Sequence, residues 1–217
     1  MRYVIFDMDG VLLDSELGFF SMFRETLRTV GIEETLENLL SRYVGMTTRA
    51  IATDLIRVHH AGITVDEFMA MKDHEGCFYA GSDAVKPFDG LCEFLNFLQG
   101  RGIRMAVVSS TLSKDVLAAL NRMHILKWFD AVVCGDAVTE SKPSPQGYRK
   151  AMEFLGAAPS ECLIIEDSRN GVQAAINAGA AVAAFKGSVV RQDTSKACLE
   201  AYSYDELREK LLEKGLI

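Results

Sequence analysis

The feature that most constrains the fold is a series of short apolar runs, rich in β-branched residues, that alternate with longer stretches of helical period. Each run is apolar at consecutive positions, which is typical of parallel strands covered on both faces. The stretches between them repeat apolar residues every three or four positions, as helices packed on a sheet do. The pattern predicts an α/β fold with a mostly parallel sheet. The predicted strands are Tyr3–Phe6, Met105–Val108, Ala131–Cys134, Cys162–Ile165 and Ala181–Ala184.

A long gap separates the first two of these runs. Strands joined by one helix normally follow each other within about 30 to 40 residues, but residues 14–84 contain no comparable run and no proline. They contain helical patterns instead, the first from Leu17 to Val30. We therefore predict an inserted α-helical cap domain at residues 15–84, and a core domain made of residues 1–14 and 85–217.

Composition and charge exclude several classes of protein. With 217 residues, of which 49% are hydrophobic and 24% charged, the chain can bury a substantial core. The net charge of -7 provides no overall attraction to nucleic acid or an anionic membrane, and no apolar run approaches the about 20 residues of a membrane span. We expect no nucleic-acid and no membrane partner, and a monomer or weak dimer.

The cysteines and the start of the chain suggest a location. The five cysteines are widely spaced and lack zinc-type spacing, so we interpret them as free thiols, with Cys134 and Cys162 buried in apolar runs. This usage fits a reducing compartment. The first strand-like run starts at Arg2, which predicts no removable signal peptide before it. The expected location is the cytoplasm.

Two aspartates follow the first predicted strand. Because residues i and i+2 of an extended chain point the same way, Asp7 and Asp9 could address one ligand at the carboxyl end of the strand. Gly10 then permits a sharp departure of the chain. A solvated turn of the Asp-x-Asp-Gly kind is the alternative for this segment alone.

Polar groups suited to phosphate follow two later segments. Ser109 and Ser110 end the second run before a helix, where hydroxyl and backbone N–H groups make a phosphate cradle, although the same residues commonly cap helices. Lys142 lies between Ser141 and Pro143, where prolines would stiffen the backbone that carries it. By itself, a lysine of this kind is usually a surface residue.

A second acid pair ends the fourth run. Glu166 and Asp167 follow a buried strand, and adjacent buried acids are costly unless they are paired or bind a cation. Together with Asp7 they would form an oxygen-rich set suited to Mg²⁺. Capping of the following helix by these residues and Ser168 is the alternative.

Taken together, these segments resemble the four motifs of the haloacid dehalogenase-like hydrolase superfamily, in its β-phosphoglucomutase- and phosphatase-like branch with a small α-helical cap. The resemblance covers essentially the whole chain and implies a Rossmann-like, doubly wound parallel sheet core with the cap inserted. The motifs are Asp7–Val11 with Asp14–Glu16 following, Ser109-Ser110, Lys142-Pro143 and Glu166–Gly171.

The resemblance implies roles for these residues in a Mg²⁺-dependent phosphoric monoester hydrolase. Asp7 would be the nucleophile that forms an aspartyl-phosphate, and Asp9 the acid and base. Asp7, Asp167 and the backbone carbonyl of Asp9 would bind Mg²⁺. Glu166 would either bind the ion directly or support the residues that bind it. The remaining implied contacts are to the phosphate group of a small phosphorylated metabolite, a sugar or polyol phosphate. They come from Gly10, Ser109, Ser110 and Lys142.

Other activities on the same scaffold are open. The second aspartate argues against a dehalogenase. A β-phosphoglucomutase-like phosphomutase is the main alternative, but the cap histidine that such mutases carry is missing: an ungapped count reaches Gly18 and Phe19-Phe20 there, and His59, His60 and His74 lie elsewhere. A phosphate-accepting signalling module fits less well, since it needs neither a cap nor the second acid.

One cap segment is a candidate for substrate binding. The loop Gly45–Arg49 resembles the cap loop that approaches substrate in this branch, and Arg49 could pair with a second anionic group through its forked donors. An exposed arginine at a helix start is the alternative. Lys72 is a similar candidate with weaker support.

Overall fold

One parallel sheet organises the protein. The computed structural model describes residues 1–43, 48–74, 78–188 and 190–217, without the side chains of residues 72–74. Its six strands lie in the order β3-β2-β1-β4-β5-β6. The chain thus adds β2 and β3 on one side of β1, then returns and adds β4, β5 and β6 on the other side. In sheets of this kind, ligands bind at the carboxyl ends of the strands where the strand order reverses. The strands are β1 (Tyr3–Phe6), β2 (Arg104–Val108), β3 (Ala131–Val133), β4 (Cys162–Glu166), β5 (Ala181–Phe185) and β6 (Leu199–Ala201).

Helices cover both faces of this sheet. Because side chains alternate along a strand, Val4 and Phe6 of β1 belong to one buried cluster, whereas Tyr3 and Ile5 belong to another on the opposite face. The first cluster includes residues of α6, α7 and α10, and the second includes residues of α8 and α9. These helices are α6 (Leu91–Gly100), α7 (Ser113–Arg122), α8 (Gln146–Leu155), α9 (Arg169–Ala178) and α10 (Tyr204–Glu213).

The long segment between β1 and β2 is helical. Its helices are α1 (Ser15–Thr29), α2 (Leu36–Tyr43), α3 (Thr48–Val58), α4 (Val65–His74) and α5 (Phe78–Gly81). A third apolar cluster, with Phe20, Phe23 and Phe68 among its members, joins α1 to α4, whereas Phe78 of α5 packs in the first cluster of the sheet. The boundaries of the cap domain at residues 15 and 84 stay a prediction.

The α/β class, the doubly wound topology and the parallel sheet predicted from sequence are confirmed. β3 ends at Val133 instead of Cys134, which leads into a short 3₁₀ turn at Gly135–Ala137. The edge strand β6 was not predicted, because its short run is interrupted by Glu200. The cysteines that the structure describes are free, with Cys134 and Cys162 buried; Cys77 lies outside the described residues. None of the described helices has the length and apolar character needed to cross a membrane.

Candidate active site

The first two aspartates lie at the carboxyl edge of β1. Asp7 is buried, and its backbone N–H donates to the carbonyl of Ile165 at 3.0 Å, which continues the pairing of β1 with β4. Gly10 turns the chain with φ of +77°, and a Cβ at this position would lie 2.0 Å from Oδ2 of Asp167. Only glycine satisfies both demands, so this turn brings the backbone after Asp9 against the end of β4.

Three carboxylates meet where the order of the strands reverses. Asp7, Glu166 and Asp167 each offer an oxygen atom, and these atoms all lie within 4.8 Å of one another; we call them the acid cluster. Lys142 reaches into the acid cluster from the loop before α8. Its Nζ donates to Asp7 Oδ1 at 2.6 Å and to Glu166 Oε1 at 2.7 Å. The side chain of Lys142 is only 13% exposed and bridges two acids, so it is not a surface residue.

Glu166 has no spare capacity for hydrogen bonds. Oε1 accepts from Lys142 and from the buried hydroxyl of Tyr148, the latter at 2.7 Å. Oε2 accepts from the backbone N–H of Asp167 and from both the N–H and Oγ of Ser168, at 2.9 to 3.0 Å. A carboxylate has about four lone-pair sites, so these donors occupy Glu166 fully. Ser168 also caps α9, because its Oγ accepts from the N–H of Gly171 at 3.0 Å.

The acid cluster carries more negative charge than Lys142 balances. Burial, with the charges of Glu166 and Asp9, raises the pKa of Asp7 to about 7, although Lys142 opposes this shift. Burial and the charges of Glu166 and Asp7 likewise raise the pKa of Asp167 well above its usual value. Burial opposes ionisation of Glu166 too, but Lys142 and the other donors keep its pKa below the usual range.

This excess of charge fits a divalent cation. Unlike Glu166, the Asp167 carboxylate accepts no hydrogen bond from the described residues, so its oxygens are open to a ligand. Carboxylate and carbonyl oxygens are the ligands that Mg²⁺ prefers. A cation here would offset the burial and the repulsion that together raise the pKa values of Asp7 and Asp167.

The carboxylate of Asp9 is held by two hydroxyls. Tyr79 donates to Oδ1 at 2.8 Å, and Thr111 donates to Oδ2 at 3.0 Å. Ser109 is buried beside them, and its Oγ accepts from the N–H of Thr111 at 3.0 Å. These residues do not cap α7, whose first amide, that of Ser113, donates to Asp136 instead. The capping alternative for Ser109 is therefore not what the structure shows.

A cleft of about 540 Å³ opens beside Asp9; we call it the Asp9 cleft. Ser110 lies in its lining, which combines residues from the sheet edge with residues from α1, α2, α3 and α5. The lining consists of Asp9, Ser15, Glu16, Phe19, Phe20, Tyr43, Thr48, Tyr79, Ser110 and Thr111.

Of the cap segment singled out from sequence, Thr48 lines this cleft, whereas Arg49 is not among the described residues of its lining. Arg49 is exposed and its Nη1 pairs with Asp66 Oδ1 at 2.7 Å, as expected for a surface arginine. Gly45–Thr47 and the side chains of Lys72 and His74 lie outside the described residues. His59 and His60 are exposed. Phe19 and Phe20, which the ungapped count aligns with the histidine of a mutase, line the cleft.

Sequence reasoning missed Tyr79, Thr111 and Tyr148. Each hydrogen-bonds to a predicted site residue elsewhere in the chain, at a separation of 18 positions for Tyr148, 70 for Tyr79 and 102 for Thr111. The only signal for Thr111 is its place directly after the predicted Ser109-Ser110 pair. Tyr148 has the apolar helical spacing of a core residue, so its hydroxyl gives no sign of a partner in the sequence.

Comparison with known proteins identifies the class and then the family. Among curated proteins, the chain is 34% identical over 201 residues to a phosphorylated carbohydrates phosphatase of Thermotoga maritima, covering 93% of this chain and 91% of the relative. It is 30% identical over 179 residues to a phosphoglycolate phosphatase of Aquifex aeolicus, covering 82% of each. The chain is thus an enzyme of the phosphoric monoester hydrolase class.

The family is established by the sequence as a whole. The model of the haloacid dehalogenase-like hydrolase family matches residues 4–185, and the chain belongs to this family. A crystal structure of a putative β-phosphoglucomutase from Thermotoga maritima is similar, with a TM-score of 0.84, 29% identity and coverage of 98% of this chain and 99% of the other. The resemblance inferred from the motifs is confirmed.

Proposed function

We propose that the protein is a Mg²⁺-dependent phosphatase of small phosphorylated metabolites, sugar or polyol phosphates, and that it acts through an aspartyl-phosphate on Asp7. The observation that carries this proposal is the bridge from Lys142 to Asp7 at the acid cluster. A carboxylate that attacks a phosphate ester faces like-charge repulsion, so the site needs positive charge beside the nucleophile.

The first half of the reaction uses both aspartates. A carboxylate oxygen of Asp7 forms a bond to phosphorus while the bond from phosphorus to the leaving oxygen breaks. Asp9 gives a proton to that oxygen, and the alcohol leaves. Lys142 and Ser109 hold the phosphoryl oxygens, and Lys142 also fixes the orientation of Asp7.

The second half restores the enzyme. Asp9, now ionised, takes a proton from water as the water oxygen attacks phosphorus, and the bond to Asp7 breaks to release inorganic phosphate. The hydroxyls of Tyr79 and Thr111 keep the Asp9 carboxylate in place for both proton transfers.

The metal would be held by Asp7, Asp167 and the backbone carbonyl of Asp9. When bound, Mg²⁺ supplies positive charge that offsets the negative charge of the phosphoryl group. We assign Glu166 a supporting part because its oxygens are already occupied: it holds Lys142 and the backbone of Asp167 in position.

A phosphomutase is the second candidate, because the similar crystal structure is that of a putative β-phosphoglucomutase. A mutase must protect its aspartyl-phosphate from water while one substrate is exchanged for another. In this chain an ungapped count places Phe19 and Phe20, both in the lining of the Asp9 cleft, at the position of the protecting histidine, so no histidine is available there and hydrolysis is favoured.

A substrate panel tests the proposal. Phosphate release is measured from sugar, polyol and short acid phosphates, with Mg²⁺ and with EDTA. Asp7→Asn should abolish turnover with the fold intact, since the amide is a poor nucleophile of nearly equal shape. Asp89→Asn, at an exposed position, is the control. Interconversion of sugar phosphate isomers with little phosphate release would instead establish the mutase, and full activity of Asp7→Asn would refute the proposed nucleophile.

A further inference from the structure

Glu16 is an acid at the start of α1 that the proposed reaction does not use. It lines the Asp9 cleft together with the residue that would protonate the leaving group. A group at this place would face the part of the substrate that departs as the alcohol.

The carboxylate of Glu16 is not engaged by the described residues around it. Its carboxylate has no hydrogen-bond or ion-pair partner among the described residues, although it is partly shielded from solvent. By contrast, Asp14 accepts from the Ser188 hydroxyl at 3.0 Å, and Glu25 of the same helix pairs with Arg28 at 2.8 Å. Burial, with the negative charges of Asp14 and Asp9, raises the pKa of Glu16 to about 7. A ligand that donates a hydrogen bond would therefore supply the partner that this carboxyl group lacks.

The rest of the cleft is suited to an uncharged ligand. Of the lining residues that the structure describes, none is a lysine or arginine. Beside Thr48, residues 44–47 carry no charged side chain in the sequence. Arg49 is engaged by Asp66 on the surface. A second phosphate or a carboxylate in this cleft would meet the carboxylate of Glu16 and find no described cation to offset the repulsion.

We propose that Glu16 accepts a hydrogen bond from a hydroxyl of the leaving group, so that the Asp9 cleft selects phosphate esters of uncharged, hydroxylated molecules over esters that carry a second anion. The inference rests on the proposed phosphatase function and narrows its substrate class. Glu16 acts in specificity; it takes no part in the transfer of the phosphoryl group.

The test compares kcat/KM for three esters. Glucose 6-phosphate has an uncharged hydroxylated leaving group, p-nitrophenyl phosphate has no hydroxyl, and fructose 1,6-bisphosphate carries a second phosphate. The parent should prefer glucose 6-phosphate to the bisphosphate. Glu16→Ala should lower the ratio of kcat/KM for glucose 6-phosphate over p-nitrophenyl phosphate by about 10- to 100-fold, the size of a lost hydrogen bond to a charged group.

A second variant keeps the shape of the side chain. Glu16→Gln removes the charge and should raise the ratio of kcat/KM for the bisphosphate over glucose 6-phosphate. This variant also tests the proposal if Glu16→Ala does not fold. Glu25→Gln makes the same change on an exposed turn of α1 and should leave both ratios at the parental values.

The outcomes separate the two proposals. If the parent releases phosphate from no member of the panel, the proposed function fails and this inference fails with it. If the parent turns over substrate but prefers the bisphosphate, or if changing Glu16 leaves both ratios unaltered, the inference alone is overturned.

Discussion

The hydroxyl of Tyr79 donates a hydrogen bond to Oδ1 of Asp9 at 2.8 Å, although the two residues are 70 positions apart. Tyr79 belongs to α5, which packs against α7 of the core. Arg122 at the end of α7 reinforces this packing, since it donates to the carbonyl of Ala80 at 3.2 Å and pairs with Asp83 at 2.8 Å. The phenol that orients Asp9 is thus itself held by the core of the enzyme.

Removal of this phenol should slow catalysis. Burial and the negative charge of Asp9 raise the pKa of Tyr79, so its hydroxyl stays protonated and remains a donor. In Tyr79→Phe we expect kcat to fall about tenfold, the equivalent of one hydrogen bond of about 1.4 kcal/mol, with a smaller change in KM. Steady-state kinetics checks this, with Tyr202→Phe at an exposed position as control. An unchanged kcat would show that Thr111 alone positions Asp9.

Lys142 should matter for stability as well as for activity. Lys142→Met leaves Asp7 and Glu166 buried without their cation, and loss of one partner of a buried ion pair costs about 3 to 5 kcal/mol. We expect this loss in the free energy of unfolding near pH 8, and a smaller loss near pH 5, where the acids can be protonated. Urea unfolding measures both values. Exposed Lys114→Met is the control, and equal losses at both pH values would contradict the charge argument.

The response to Mg²⁺ should depend on pH. The pKa of Asp7 is raised from 3.8 to about 7 in the folded protein without metal. A carboxyl group whose pKa is raised by folding contributes its full stabilisation of the folded state at pH values below its pKa in the unfolded chain. That contribution is lost as the pH rises through its pKa in the folded protein. Mg²⁺ requires the ionised carboxylate, so its stabilising effect should grow over the same range. We therefore expect Mg²⁺ to raise Tm more near pH 8 than near pH 6. Thermal melts with Mg²⁺ and with EDTA measure this difference, and a larger increase in Tm near pH 6 would contradict the prediction.

Gly171 should not tolerate a side chain. A Cβ at this position in α9 would lie 1.7 Å from Oε1 of Glu166. Glycine to alanine within a helix normally stabilises a protein by about 0.5 to 1 kcal/mol, but Gly171→Ala should displace Glu166 and lower both stability and kcat. Gly100→Ala at the end of α6, where nothing lies within 4 Å, is the matched control. Parental kcat in Gly171→Ala would show that the position of Glu166 is not critical.

The sheet could be predicted because its signals are local. Apolar runs mark the strands directly, and the boundaries of β1 follow from sequence alone. The candidate site residues could be placed for a related reason: Asp7 follows a strand, Glu166 ends one and Lys142 precedes a helix, and parallel strands bring such positions to one edge.

The partners of these residues could not be predicted, because they depend on packing between distant segments. The bond from Tyr148 to Glu166 requires the orientation of α8 against β4, and the bond from Tyr79 to Asp9 requires the position of α5. Arg49 illustrates the reverse case: its place beside a glycine-containing loop suggests an anion site, but Asp66, 17 residues away, pairs with it.

The central place of β1 in the sheet has a consequence for evolution. Both neighbours of β1 pair with it along residues 3–6, and the next strand that the chain contributes to the sheet begins at Arg104. Helices α1 to α4 pack in an apolar cluster of their own, so helices of other length or sequence could be exchanged there without altering any strand pairing or the hydrogen bond from Tyr79 to Asp9. Residues that contact the departing alcohol could thereby change while Asp7, Asp9 and Lys142, the groups proposed to break the ester bond, are left untouched.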